Sequence, residues 1–198
     1  MSKAKNKATS PSEVLRNLGI FKATDAIAAG VSQPTLSRLT AARTIVRSER
    51  GLYYHPGADI DPSEIDFAIA CTKFGNDALI GGLTSLFRHG LIAQVPDRIW
   101  VVVPSGVKSE NSLYRCLRTK HDPTVGIDEH GHYRIANLER SLIEGLQFAT
   151  KIGLQTALSA IRKALAERLT TEKKLHAMAK LLGAESAFAK SWEAIATE

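Results

Sequence analysis

Residues 22–39, KATDAIAAGVSQPTLSRL, decide how the first third of the chain folds. They read as two short helices joined by a tight turn. The first fits Ala23 to Ala29 and is stopped by Gly30. The second is capped by Ser32, carries Pro34 in its first turn and runs to about Ala42. Ala26 is small where the helices cross closely, and Gly30 supplies the left-handed backbone that glycine adopts at least cost. Val31 closes the core under the turn, and Leu36 and Leu39 anchor the second helix. This is helix-turn-helix spacing. The opposite face carries Pro34, Ser37, Arg38 and Ala41, with Gln33 near its N-terminal edge. A recognition helix presents such small polar and basic groups to a major groove.

Upstream, Ser10 caps a helix that starts at Pro11, bears Val14, Leu15 and Leu18 as an apolar stripe and ends at Gly19. Downstream, two short strands fit Ile45 to Ser48 and Leu52 to His55, joined by Glu49-Arg50-Gly51. A strand pair behind a recognition helix makes a winged variant. Ser32, Gln33, Thr35, Ser37 and Arg38 are the DNA-binding candidates on the helix. Gln33, Thr35, Ser37 and Arg38 are expected to read base edges, Gln33 by a bidentate contact to adenine and Arg38 to guanine or a phosphate. Arg43, Arg47 and Arg50 are the phosphate candidates at the helix end and hairpin. Tyr53 and Tyr54 are expected to face opposite ways, one inward.

Charge points the same way. The 198 residues carry a formal net charge of +6. Residues 1–58 hold nine Lys or Arg against three Asp or Glu, and the remainder is balanced. A segregated excess suits a polyanion partner. Half of it, Lys3, Lys5 and Lys7, lies in an N-terminal stretch read as a flexible basic arm, residues 1–10. With 44% hydrophobic and 23% charged residues, the composition is that of a globular chain. No apolar run approaches the ~18 residues of a membrane span. No apolar stretch follows the basic N-terminus, and the two cysteines, Cys71 and Cys116, read as reduced thiols. The expected location is the cytoplasm.

A turn-rich segment, HPGADIDP at 55–62, reads as a linker. It separates a winged helix-turn-helix domain, 11–57, from a larger domain, 63–198. In the latter, helices fit Glu64 to Phe74 and Leu79 to His89, with Gly81-Gly82 as a helix-packing pair. Ile99-Trp100-Val101-Val102-Val103 reads as a strand buried on both faces. Leu113 to Arg118 and His132 to Ile135 are weaker strand candidates. From about 136 onward the pattern is helical. Its stripes are Leu138/Leu142/Ile143/Leu146, then Leu154/Ala157/Leu158/Ile161/Leu165, Leu175/Met178/Leu182 and Phe188/Trp192/Ile195. The expected class is α+β: a winged helix-turn-helix, then a mixed α/β domain ending in a helical bundle.

The stretch AAGVSQPTLSRLTAARTIVRSERGLYYHP, Ala28 to Pro56, resembles the N-terminal domain of the AbiEi-type antitoxins of type IV toxin–antitoxin (abortive infection) systems. The matching residues are Gly30-Val31-Ser32, Leu36, Arg38-Leu39 and Arg50-Gly51-Leu52-Tyr53. Ile80 to Leu86 with His89-Gly90-Leu91, the strand at Ile99 to Pro104, and Leu138-Glu139-Arg140-Ser141-Leu142-Ile143-Glu144 are similar to later family segments. One departure is Ala42-Arg43-Thr44, where the family pattern has a glycine ending the recognition helix. The resemblance implies a repressor that binds inverted repeats in its own promoter, two copies pairing on the operator. It also implies a C-terminal domain that counters a nucleotidyltransferase-like toxin, directly or through its effects.

Other constellations point to no catalysis and no metal. His121, His130 and His132 lie near Asp122, Asp128 and Glu129 without ligand spacing. Ser85 and His89 are one helical turn apart with no residue placed to orient the histidine. Cys71 reads as core. Glu139 and Arg140 serve either a partner surface or an internal ion pair, and Phe188 with Trp192 either core or an interaction ridge. No cofactor motif is present, and the chain reads as a DNA-binding repressor, not an enzyme. The competing reading is a protein-interaction module whose winged helix binds a partner protein. A nuclease reading lacks an acidic cluster of the required spacing.

Overall fold

The computed structural model describes residues 9–107 and 111–196. Most of the expected basic arm therefore lies outside the described residues. The class is α+β, with ten helices and two sheets among the described residues. The chain divides into two compact units, residues 1–73 and 74–198. The expected linker at 55–62 falls inside the first unit, because the helix after it is grouped with what precedes.

The first unit contains α1 (Pro11–Leu18), β1 (Ile20–Lys22), α2 (Ala23–Ala28), α3 (Gln33–Ala41), β2 (Val46–Glu49) and β3 (Leu52–Tyr54), followed by α4 (Ile65–Phe74) at the division. Ser10 and Glu13 form a reciprocal capping box at the start of α1. The strands make an antiparallel sheet in the order β1-β3-β2. Strand β1 carries no signal of its own in the sequence. Three residues between two helices are too few to show a period of two, and β1 exists because Ile20, Phe21 and Lys22 pair with Tyr54, Tyr53 and Leu52. Leu15, Phe21, Ala26, Val31, Leu36, Ile45 and Tyr53 form one buried cluster. The Phe21 and Tyr53 rings stack with centroids 5.9 Å apart. Tyr53 is buried, as is Leu52 before it, and Tyr54 is half-buried.

The second unit is built on a five-stranded mixed sheet, order β6-β5-β4-β8-β7. Its strands are β4 (Leu79–Ile80), β5 (Ile99–Pro104), β6 (Tyr114–Thr119), β7 (Ile127–Glu129) and β8 (Arg134–Ala136). Helix α5 (Gly82–Arg88) lies between β4 and β5. After β8 come α6 (Leu138–Gln147), α7 (Ala149–Ile152), α8 (Leu154–Ala166), α9 (Glu172–Leu181) and α10 (Glu185–Ala196). Helix α6 is central, touching β8, α5 and each of the later helices. Phe188 is buried and Trp192 packs against the same core, so this pair belongs to the interior.

One expected helix is corrected. Leu79 and Ile80 are strand, paired with Val102 and Val101, and helix begins only at Gly82. The glycine pair is a strand-to-helix turn pressed against the sheet. A Cβ on Gly81 would collide with Val102 Cγ2, and Gly82 has φ +53°. Three apolar residues before a glycine pair satisfy a helical stripe and a short buried strand equally, so only pairing separates them.

Candidate nucleic-acid interface

The outer side of α3 is open. Gln33, Pro34, Ser37, Arg38 and Ala41 are exposed, while Leu36 is fully buried beneath them. Ser32 occupies the N-cap with extended backbone, but its hydroxyl does not cap the helix. It shares a hydrogen bond with the Thr35 hydroxyl at 3.0 Å. This corrects the expected cap and leaves the first-turn N–H groups of α3 without a side-chain acceptor. Thr35 is half-buried and held by Ser32, whereas Gln33, Ser37 and Arg38 project outward.

The end of α3 explains how the chain manages without the expected glycine. The Arg43 N–H donates to Thr40 O at 3.0 Å, and the Thr44 N–H reaches back to Leu39 O at 2.9 Å. This is a Schellman closure, and it puts Arg43 at φ +56°. An arginine in that region costs about 1–2 kcal/mol of backbone energy. Replacing it, Arg43→Gly, is expected to raise stability by about 0.5–1 kcal/mol, the relieved strain less the added freedom of the unfolded chain. Chemical denaturation reads this directly, and a less stable variant would contradict the strain.

The hairpin adds two more exposed arginines. Arg47 lies opposite Tyr53, and its Nε donates to Glu49 O at 3.3 Å. Arg50 sits at the turn, which Gly51 closes at φ +75°. The acidic side chain of this hairpin, Glu49, is engaged by Lys73 in an ion pair. Arg38, Arg43, Arg47 and Arg50 are all exposed, and none makes an ion pair among the described residues. A recess of about 300 Å³ beside the turn is lined by Lys22, Thr24, Glu49, Arg50, Gly51 and Lys73. Lys22 and Lys73 were not among the candidates, since lysines 51 positions apart carry no spacing signal until the fold collects them.

The remaining candidates are brought to ordinary partners. Ser85 Oγ donates to Gly82 O at 3.1 Å, and His89 Nε2 lies 2.8 Å from Ala136 O, so these two side chains do not bond each other. His121 Nε2 lies 3.0 Å from Gln147 Oε1, and His130 stacks on Tyr133. No cluster of three metal-ligating side chains exists among the described residues. Burial, and secondarily Arg140, holds the His121 imidazole below its ordinary pKa, the Gln147 bond opposing. No helix among the described residues is long and apolar enough to cross a membrane.

No family model matches the chain, and comparison with curated proteins gives no match. Among solved structures the chain is similar to the crystal structure of the RV2827C protein from Mycobacterium tuberculosis. The TM-score is 0.58 at 12% identity, covering 96% of this chain and 80% of that one. At that identity the likeness is one of fold.

Proposed function

We propose that the first unit is a winged helix-turn-helix that binds duplex DNA, with α3 in the major groove and the β2–β3 hairpin against the backbone. The observation that carries this is the set of four exposed arginines on α3, the turn that closes it and the hairpin, unneutralised by any ion pair among the described residues. Exposed cations left without a counter-charge displace counterions from a phosphate backbone. Gln33, Ser37 and Arg38 read base edges. Arg43, Arg47 and Arg50 contact phosphates, and the uncapped first turn of α3 suits another phosphate. Thr35, tied to Ser32, acts mainly by holding that turn. The family resemblance extends the proposal to autorepression, as antitoxin to a nucleotidyltransferase-like toxin, by two copies on an inverted repeat.

Gel shifts of the full chain on DNA from upstream of its own reading frame, and on random duplex, test the proposal. Arg38→Ala is expected to lose about 10–100-fold on the specific site and little on random DNA. Arg50→Ala is expected to weaken both alike and to lower the salt slope by about one. Weak, salt-insensitive binding that neither substitution changes would sink the proposal and favour a protein partner.

A further inference from the structure

A second feature lies in the other unit and is independent of DNA. At the carboxyl ends of the parallel pair β5 and β6 there is a cavity of about 250 Å³. Open sheets take ligands in the crevice outside the carboxyl ends of their strands. Ser105, Thr119, Lys120, His121, Asp77 and Arg140 supply its polar lining. Arg140 is fully buried. Its Nε donates to Glu144 Oε1 at 2.9 Å, and its Nη1 serves the carbonyls of Asp122 and Val125. Its Nη2 is buried without a hydrogen-bond partner among the described residues. A buried guanidinium nitrogen left unbonded carries its full desolvation penalty, so a built-in donor of this kind calls for an acceptor.

We propose that this cavity binds a small oxyanion, a phosphate or carboxylate group, taken by Arg140 Nη2 within and by Lys120 and the Ser105 and Thr119 hydroxyls at the mouth. Glu144 already balances the Arg140 charge, so Lys120 supplies the net attraction and Arg140 the direction. Thr119 Oγ1 accepts from the His121 N–H at 3.0 Å, which leaves its own proton for a ligand. Asp77 is the acidic side chain in the lining. It is exposed, and solvent screens it, but it disfavours multiply charged ligands.

The test is an amide NMR titration of the full chain at constant ionic strength, with inorganic phosphate in one arm and acetate in the other. Saturable shifts at Ser105, Lys120 and His121 are expected in at least one arm, and the tighter arm names the group. Lys120→Ala, at an exposed position, is expected to weaken that binding about tenfold. Arg140→Lys, which keeps the charge but loses Nη2, is expected to weaken it at least as much where it folds. Unsaturable or absent shifts in both arms overturn the proposal, as does unchanged affinity in Lys120→Ala.

Discussion

Arg140→Ala is expected to destabilise the protein by about 3–5 kcal/mol, because it leaves a carboxylate buried without its counter-charge. Arg140 and Glu144 are both fully buried, one turn apart on α6. Burial pushes the Glu144 carboxyl above its ordinary range, while Arg140 pulls it back by charge and hydrogen bond. Without Arg140 the folded-state pKa rises further. A folded pKa above the unfolded value means that the native state holds the proton more tightly. The penalty is then absent below the ordinary pKa of 4.5 and grows as pH rises above it. Urea denaturation at several pH values is expected to show the smallest deficit near the ordinary value and the largest at neutrality. A deficit below about 1 kcal/mol at neutral pH, or one that does not depend on pH, would contradict this account. The double variant Arg140→Met/Glu144→Leu is expected to recover most of the loss, since apolar pairs of similar volume commonly replace buried ion pairs without cost.

Gly82→Ala is expected to cost about 2–4 kcal/mol, combining left-handed backbone strain with overpacking. At φ +53° the added Cβ would stand 2.7 Å from Trp100 Cε3 and 2.9 Å from Leu117 Cδ1. Both neighbours are buried, Leu117 completely, so neither has room to move. Gly30→Ala is the control. Its φ is +85° but nothing lies within 4 Å of its Cβ, so only the backbone cost of about 1 kcal/mol applies. Denaturation of both variants, with tryptophan fluorescence reporting on Trp100, separates the two contributions. Equal losses at the two glycines would show that the close approach to the sheet carries no energy.

The candidate interface was legible because each part rests on short-range signals. The Gly30 turn, the Leu36 anchor, the exposed Gln33/Ser37/Arg38 face and the hairpin closed by Gly51 follow from residues within about one helix or hairpin of each other. Arg43 shows where that reading stops. Its neighbours indicated a missing glycine, but not that the arginine itself would take the left-handed position. The polar contacts of α6 were not legible. Periodicity assigned it a stripe of Leu138, Leu142, Ile143 and Leu146, yet every residue from Arg140 to Leu146 is buried. A helix turned toward a sheet on one side and five helices on others has no solvent face, and its sequence pattern does not record how many neighbours it has.

Local sequence, then, determined the helices, the turn, the hairpin and the segregation of charge, because capping, glycine backbone and apolar spacing act within a few residues. Tertiary structure alone decided that Leu79 and Ile80 are strand, that Ile20 to Lys22 form a sheet edge, and that Arg140 and Glu144 meet out of water beside a cavity. Strand pairing and burial of charge depend on partners tens of residues away, and only the closed chain brings those partners within reach.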